Sequence, residues 1–412
     1  MAVFVSSRLQ KKLPHQQPAI PALVLLLFHL SLGFDPAHST VNSSTSSTGD
    51  GGIYSASQSW QKEKLNPSQN LTMSDVFIGS RCDIFSGHWV HDFSYPLYDW
   101  SKCPYIDGEF DCQKNGRPDS DYEKWRWKPR YCNIRRFNAV DMLQKLRGKT
   151  LMFVGDSLNR DQWQSMICLL HAALPQARTY YVSGDTLSTF KALDYGVSVS
   201  FYRAPYLVDM VTTTVQGQQK VVLRLDSAEI NGRGWKGADI LVFNSGHWWT
   251  HTGNLRGWDY MQEGNRFYTT MDQMVAYQKG MATWGNWIDS NIDPRRTKVF
   301  FRSFSPSHSS ITNGGNCYSE KEPTAGSSYL GAYPPQFQVA ERVVRSMRSP
   351  VSFLNITTLS LLRQDAHPSV YSNDLTVGQR KNPQRYADCS HWCLPGLPDI
   401  WNELLYSALF YV

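Results

Sequence analysis

Short apolar runs alternate with longer amphipathic stretches from about residue 137 to the C-terminus. Buried strands are short and apolar, whereas amphipathic helices carry apolar residues three and four positions apart. The runs predict six strands, at Leu151–Val154, Val197–Tyr202, Val221–Leu225, Asp239–Phe243, Val299–Phe304 and Val351–Leu354. The longer stretches predict four helices, at Asp161–His171, Met271–Ile288, Gln336–Met347 and Leu397–Leu409. Strands that alternate with helices indicate an α/β/α sandwich on a mostly parallel sheet.

The pattern before this region divides into three segments. Residues 1–36 place basic side chains ahead of an apolar stretch, which predicts a signal-anchor or a cleaved signal peptide. Residues 37–79 are rich in Ser, Thr, Asn and Gly and predict a low-complexity stem. Residues 80–134 hold four cysteines and many aromatics and predict a small disulfide-rich subdomain. Residues 135–412 would then form the main domain of alternating strands and helices, in the secretory lumen.

The eight cysteines all follow the apolar leader. An even count in a secretory chain favours four disulfides, and a zinc site is the alternative. Three glycosylation acceptors agree with luminal exposure, at Asn42, Asn70 and Asn355.

A candidate nucleophile directly follows the first strand of the alternating region. The turn Gly155-Asp156-Ser157 ends the apolar run and a helix can begin there, so the serine would lie beside free helix N–H groups. Far downstream, Asp388 precedes His391 by three residues, a spacing that lets the carboxylate orient the imidazole. The two pieces predict a Ser-His-Asp acyl-transfer enzyme. The G-x-S-x-G elbow of α/β-hydrolases is absent, because position 159 is asparagine.

Charge and aromatic content narrow the possible substrates. The formal charge of +6 is spread along the chain, so no Lys/Arg block argues for a nucleic-acid partner. The 14 Trp and 21 Tyr suit either a sugar-binding cleft or core packing. Trp248 and Trp249 follow the end of the predicted strand Asp239–Phe243, and they fit either a sugar-binding cleft or core packing. Arg160 is expected either to bind substrate or to pair with Asp161 or another acid.

Several long motifs in order carry a family resemblance. They are CDIFSGHWV, YPLYDWSKCPYID, FDCQKNGRPDSDYEKWRWKP, VGDSLNRDQW, VFNSGHWW, DAHPSVY and DCSHWCLPGLPDIWNELL. With these motifs, the chain resembles the plant trichome-birefringence-like proteins, polysaccharide O-acetyltransferases with a PC-esterase domain of the GDSL/SGNH acyl-esterase type. The resemblance implies an SGNH-hydrolase-like α/β/α sandwich behind a cysteine-rich N-terminal subdomain. It also implies a single-pass type II Golgi membrane protein with a luminal catalytic domain, secretion to the cell wall being the alternative.

The resemblance assigns roles to individual residues. Ser157 would be the nucleophile, with Asp388 and His391 completing the triad. Asn244 would help to form the oxyanion hole together with the backbone N–H of Ser157. The implied disulfides are Cys82–Cys132, Cys103–Cys168, Cys112–Cys393 and Cys317–Cys389.

The activity expected from this resemblance is transfer of acetyl groups to hydroxyls of a plant cell-wall polysaccharide through an acetyl-serine. Xylan is the favoured polymer. The co-substrate would be an acetyl donor, acetyl-CoA or a derived carrier, with no bound cofactor and no metal. A pectin or xylan acetylesterase with the same triad is one alternative, and a non-catalytic wall-polysaccharide-binding protein is another.

Overall fold

The computed structural model describes residues 82–174, 176–309, 316–329 and 331–412. The proposed anchor at 1–36, the stem at 37–79, and the acceptors Asn42 and Asn70 lie outside these ranges. No helix within the described ranges combines the length and the apolar character needed to cross a bilayer.

Thirteen strands form three sheets in the described part of the chain. In chain order they are β1 (Gly87–His91), β2 (Trp125–Pro129), β3 (Thr150–Gly155), β4 (Thr179–Val182), β5 (Leu187–Ala192), β6 (Val197–Arg203), β7 (Met210–Val215), β8 (Gln218–Arg224), β9 (Ile240–Phe243), β10 (Tyr260–Glu263), β11 (Arg266–Tyr268), β12 (Lys298–Arg302) and β13 (Val351–Leu354). The α-helices are α1 (Ala139–Lys145), α2 (Ser157–Ala172), α3 (Glu229–Trp235), α4 (Gln273–Asn291), α5 (Pro335–Ser346), α6 (Thr357–Leu361), α7 (Val377–Arg380), α8 (Pro383–Tyr386) and α9 (Leu397–Phe410).

The central sheet has seven strands in the order β13-β12-β9-β3-β6-β5-β4. The first five are parallel to one another, and β5 and β4 extend the sheet antiparallel at one edge. Side chains of β3 alternate between the two faces, as the pleat requires. Leu151 and Phe153 pack with α1, α2 and α9, whereas Met152 and Val154 pack with α3, α4 and α5. The expected α/β/α sandwich with a mostly parallel sheet is therefore confirmed.

One predicted strand belongs to a different sheet. Val221–Leu225 falls on β8, which pairs with β7 and β10 in a separate four-stranded sheet, β11-β10-β8-β7. β7 and β8 form a hairpin around Gln216 and Gly217, both with positive φ. The polar first half of β8 is exposed, which is typical of a strand in a surface hairpin and not of a central parallel strand.

The N-terminal region (residues 82–134) is attached covalently to the sandwich. It contains the two-stranded sheet of β1 and β2. All eight cysteines are paired, so disulfides and not zinc account for them. The pairs are those that the resemblance implied: Cys82–Cys132 within the region, Cys103–Cys168 and Cys112–Cys393 from the region to the sandwich, and Cys317–Cys389.

Candidate active site

Ser157 is the first residue of α2 and lies at the carboxyl end of β3. Asp156 caps the helix, because its Oδ1 accepts from the backbone N–H of Leu158 at 3.1 Å. The strand thus ends and the helix begins within two residues. This sharp change of direction presents the serine hydroxyl at the edge of the sheet, beside the positive end of the helix dipole.

Ser157, His391 and Asp388 form a continuous chain of hydrogen bonds. The Ser157 Oγ lies 2.8 Å from Nε2 of His391, and Nδ1 of His391 lies 2.8 Å from Oδ2 of Asp388. The other carboxylate oxygen, Oδ1, accepts from the backbone N–H groups of Ser390 at 3.0 Å and His391 at 3.1 Å. With both oxygens held, Asp388 orients the ring so that Nε2 can receive the serine proton.

The negative charge of Asp388 and the positive charge of protonated His391 stabilise each other. Burial opposes ionisation of both groups, but attraction to His391 lowers the pKa of Asp388 below its ordinary value. Burial likewise acts to lower the pKa of His391, yet the Asp388 carboxylate overrides it and raises that pKa above its ordinary value. Glu109 and Asp161 raise it further. The imidazolium that forms during proton transfer is therefore stabilised.

The loop that carries the acid and the base is fixed on several sides. Cys389 and Cys393 are both in disulfides. Nδ1 of His367 lies 2.6 Å from the carbonyl oxygen of His391, and the His367 ring stacks on Trp392 at 3.9 Å. The backbone N–H of Trp392 donates to Asp161 at 3.1 Å. His367, which was not predicted as a site residue, is thus a direct support of this loop.

Asn244 directly follows β9 and reaches the serine turn through Asp156. Its Nδ2 donates to Oδ1 of Asp156 at 2.7 Å, and its Oδ1 accepts from the Asp156 backbone N–H at 3.2 Å. The structure therefore brings Asn244 to the turn, with its hydrogen bonds made to Asp156 and not to Ser157.

Asn159 was not predicted as a site residue, yet it links three strands at this edge. Its Nδ2 donates to the carbonyls of Val154 at 2.9 Å and Val242 at 2.8 Å, on β3 and β9. Its Oδ1 accepts from Nε of Arg302, the last residue of β12, at 3.3 Å. The sequence signal was the asparagine in place of the second glycine of an α/β-hydrolase elbow.

Arg160 pairs with acids of the N-terminal region, while Asp161 binds the Trp392 N–H instead. The Arg160 guanidinium lies 3.3 Å from Asp107 and also contacts Glu109. It sits 5.2 Å from the centre of the Phe110 ring. The N-terminal region therefore supplies part of the site. Asp107 and Glu109 were not predicted, because they lie about fifty residues before Ser157 in a segment without clear periodicity.

The two adjacent tryptophans have different environments. Trp249 is 5% exposed, and its Nε1 donates to the Ser245 hydroxyl at 3.0 Å. Its ring packs so closely on Gly280 that a Cβ there would lie 2.4 Å from it. Trp248 is half-buried and lines the cavity at Ser157. Of the two, Trp248 is the one that reaches the cavity.

The cavity beside Ser157 has a volume of about 260 Å³. Arg160, Arg203 and Trp248 line it together with the hairpin of β4 and β5, which contributes Tyr181, Ser183, Gly184, Asp185 and Ser188. The sequence carries a signal for this hairpin, since two β-prone runs flank a Ser-Gly-Asp-Thr turn, but neither strand was among the six predicted. The third acceptor, Asn355, lies directly after β13 and is half-buried.

Sequence comparisons agree with this architecture. Residues 134–408 match the PC-Esterase family, described as a GDSL/SGNH-like acyl-esterase family found in Pmr5 and Cas1p, and residues 80–133 match the PMR5 N-terminal domain. The chain is similar to three Arabidopsis thaliana proteins. Protein trichome birefringence-like 38 is 47% identical over 80% of this chain and 84% of its own length. Protein trichome birefringence-like 39 is 46% identical over 83% and 91%, and protein trichome birefringence-like 43 is 47% identical over 80% and 88%. The chain therefore belongs to the trichome birefringence-like family and carries a GDSL/SGNH-like acyl-esterase domain.

Proposed function

We propose that this protein is an O-acetyltransferase that acetylates hydroxyl groups of a plant cell-wall polysaccharide, with xylan the favoured polymer. The observation that carries the proposal is the unbroken hydrogen-bond chain from Ser157 through His391 to Asp388. Family membership supports acyl chemistry of the esterase or acyltransferase type.

In the first half-reaction, His391 takes the Ser157 proton while Oγ attacks the acetyl carbonyl of the donor. The developing oxyanion is stabilised by the backbone N–H of Ser157 and by the second Nδ2 proton of Asn244, since one is already given to Asp156. His391 then returns its proton to the leaving group. The donor is acetyl-CoA or a derived carrier, and the residues named here perform the chemistry without a bound cofactor.

In the second half-reaction, His391 deprotonates a sugar hydroxyl, whose oxygen attacks the acetyl-serine. The bond between the acetyl carbon and Oγ then breaks, and His391 returns the proton to Ser157. Transfer exceeds hydrolysis only if the bound sugar hydroxyl attacks the acetyl-serine faster than water does. Trp248 and the β4–β5 hairpin line the cavity beside Ser157, and in this proposal they hold the acceptor there. In this proposal residues 1–36 anchor the protein in the Golgi membrane or direct its secretion.

A polysaccharide acetylesterase is the second candidate, because the matching family is described as an acyl-esterase family. It would use the same triad with water as the acceptor. Reaction with a serine-directed acyl or phosphonyl probe separates both enzymes from a non-catalytic binding protein, which would not label at Ser157.

The decisive experiment incubates the purified protein with an acetyl donor and a panel of xylan, mannan and pectin oligomers. Mass spectrometry of the products and of the Ser157 peptide follows transfer and the acetyl-serine. Acetylated oligomers from the wild type, and none from Ser157→Ala, are expected. Deacetylation of pre-acetylated oligomers without transfer would favour the esterase.

A further inference from the structure

The β4–β5 hairpin stands at the same edge of the sheet as Ser157. Gly155, at the end of β3, is level with Arg203 at the end of β6, and Leu187 at the start of β5 pairs with Tyr202. The backbone N–H of Arg203 donates to the carbonyl of Thr186 at 2.8 Å. Because β5 runs antiparallel to β6, the turn of residues 183–186 projects past the carboxyl ends of the parallel strands, next to the nucleophile.

The β4–β5 hairpin is held in place by a hydrogen bond across its turn and by aromatic contacts to other segments. The Ser188 hydroxyl accepts from the Gly184 N–H at 3.2 Å. The Tyr181 ring lies 5.0 Å from the Tyr105 ring and 6.1 Å from the Trp163 ring, centre to centre. The hairpin wall is therefore preorganised, which lowers the entropy cost of binding a ligand against it.

Successive tyrosines of β4 differ in their relation to the cavity. Side chains of a strand point alternately to opposite faces. Tyr181 is 36% exposed and is part of the cavity lining, whereas its neighbour Tyr180 is 52% exposed and lies outside that lining. The pair provides two equivalent side chains, one at the cavity and one away from it.

The charges of the cavity lining favour an uncharged ligand. Two accessible carboxylates, of Asp107 and Asp185, face two guanidinium groups, of Arg160 and Arg203. The Asp156 carboxylate is 1% exposed and is already bonded to Leu158 and Asn244. Arg160 is already paired with Asp107 and with Glu109. The lining therefore offers no excess of positive charge to a polyanionic acceptor, whereas the hydroxyls of a neutral sugar can donate to the exposed carboxylate of Asp185.

We propose that the β4–β5 hairpin is the acceptor subsite and binds an uncharged pyranose unit, with Tyr181 and Asp185 contacting the sugar that presents its hydroxyl to Ser157. This inference rests on the proposed function, since it names the acceptor of the same site. Tyr181 contributes its ring edge and hydroxyl, and Asp185 accepts from sugar hydroxyls at the tip of the turn.

The test measures binding and not turnover. A Ser157→Ala protein is titrated calorimetrically with a neutral xylo-oligosaccharide and with a galacturonate oligosaccharide of equal length. Tyr181→Ala in that background should raise the Kd for the neutral oligosaccharide by at least about fivefold, as the loss of an aromatic contact implies. Tyr180→Ala, the matched control, should change it by no more than about twofold, as for an ordinary surface substitution. Equal effects of the two variants, or tighter binding of the galacturonate oligosaccharide, would overturn the proposal.

A second variant covers the possibility that Tyr181→Ala disturbs folding. Asp185 is exposed at the turn, so Asp185→Lys should leave the thermal unfolding temperature unchanged. It should weaken binding of the neutral oligosaccharide and strengthen binding of the galacturonate one. No change in the ratio of the two dissociation constants contradicts an acceptor contact at Asp185. Because binding needs no acetyl transfer, a wild-type protein that binds but never transfers refutes the proposed function and spares the subsite.

Discussion

Removal of the Cys112–Cys393 disulfide is expected to lower both the free energy of unfolding and the rate of catalysis. The rate should fall because the disulfide lies close to His391, the proposed base. Cys393 follows His391 by two residues, and Cys112 lies in the N-terminal segment that contacts Arg160. Loop closure for a bridge spanning 281 residues corresponds to about 5.6 kcal/mol of unfolding free energy. The same relation gives about 4.1 kcal/mol for the 50 residues between Cys82 and Cys132. The two bridges thus differ by only about 1.5 kcal/mol in this contribution.

The matched variants are Cys112→Ala/Cys393→Ala and Cys82→Ala/Cys132→Ala. Chemical unfolding gives the stability of each, and the rate of Ser157 acylation by a small activated ester gives the competence of the triad. Both variants are compared at a temperature where they are folded. The acylation rate of Cys112→Ala/Cys393→Ala should then fall by about tenfold or more, because a small displacement of His391 slows proton transfer from Ser157. The acylation rate of Cys82→Ala/Cys132→Ala should stay unchanged. Equal acylation rates in the two variants, or an equal fall in both, would refute the argument that this bridge positions His391.

Four further substitutions have defined expected outcomes. Ser157→Ala should fold normally but lose about 10⁴-fold or more of its transfer rate, which a product assay will detect, and retention of a hundredth of the rate would exclude covalent catalysis. Glu109→Gln should move the acid limb of the kcat/KM profile to lower pH, because Glu109 raises the pKa of His391 and only the neutral imidazole acts as a base. An unshifted limb would show that Glu109 has no electrostatic effect on His391. Trp248→Ala should weaken glycan binding by about 1–3 kcal/mol, by analogy with base stacking. Trp249→Ala should instead destabilise the fold by about 3–5 kcal/mol. Titration with glycan and chemical unfolding measure the two effects. Weaker binding in Trp249→Ala together with lower stability in Trp248→Ala would contradict the view that Trp248 binds glycan and Trp249 belongs to the core.

The five parallel strands of the central sheet and the residues of the Ser157–His391–Asp388 hydrogen-bond chain could be predicted because each is marked locally. Leu151–Val154 is a continuous apolar run, and the Asp388-to-His391 spacing needs only one loop. The missed features depend on contacts between distant segments. Glu109 reaches the site because two disulfides fix the N-terminal region to the sandwich, and no local pattern encodes that contact.

The misplaced strand has a different cause. Val221–Leu225 is apolar enough to suggest a buried central strand, yet its partners are β7 and β10. A short apolar run predicts extended backbone but does not identify the strands that pair with it. The edge hairpin was missed because β4 is largely exposed and carries polar and aromatic residues in place of an apolar run.

The hydrogen bonds by which Asn159 joins β3, β9 and β12 limit which residues position 159 can accept. A glycine there would complete an α/β-hydrolase elbow, but it would leave the carbonyls of Val154 and Val242 without the amide that joins them. The buried Arg302 guanidinium would also lose its acceptor, and the ends of β3 and β9 would keep only the backbone ladder and the Asn244–Asp156 pair. An elbow motif introduced by the single replacement Asn159→Gly would therefore destabilise this edge of the sheet. The difference between the two turn motifs thus lies in a hydrogen-bond network around a fully buried side chain.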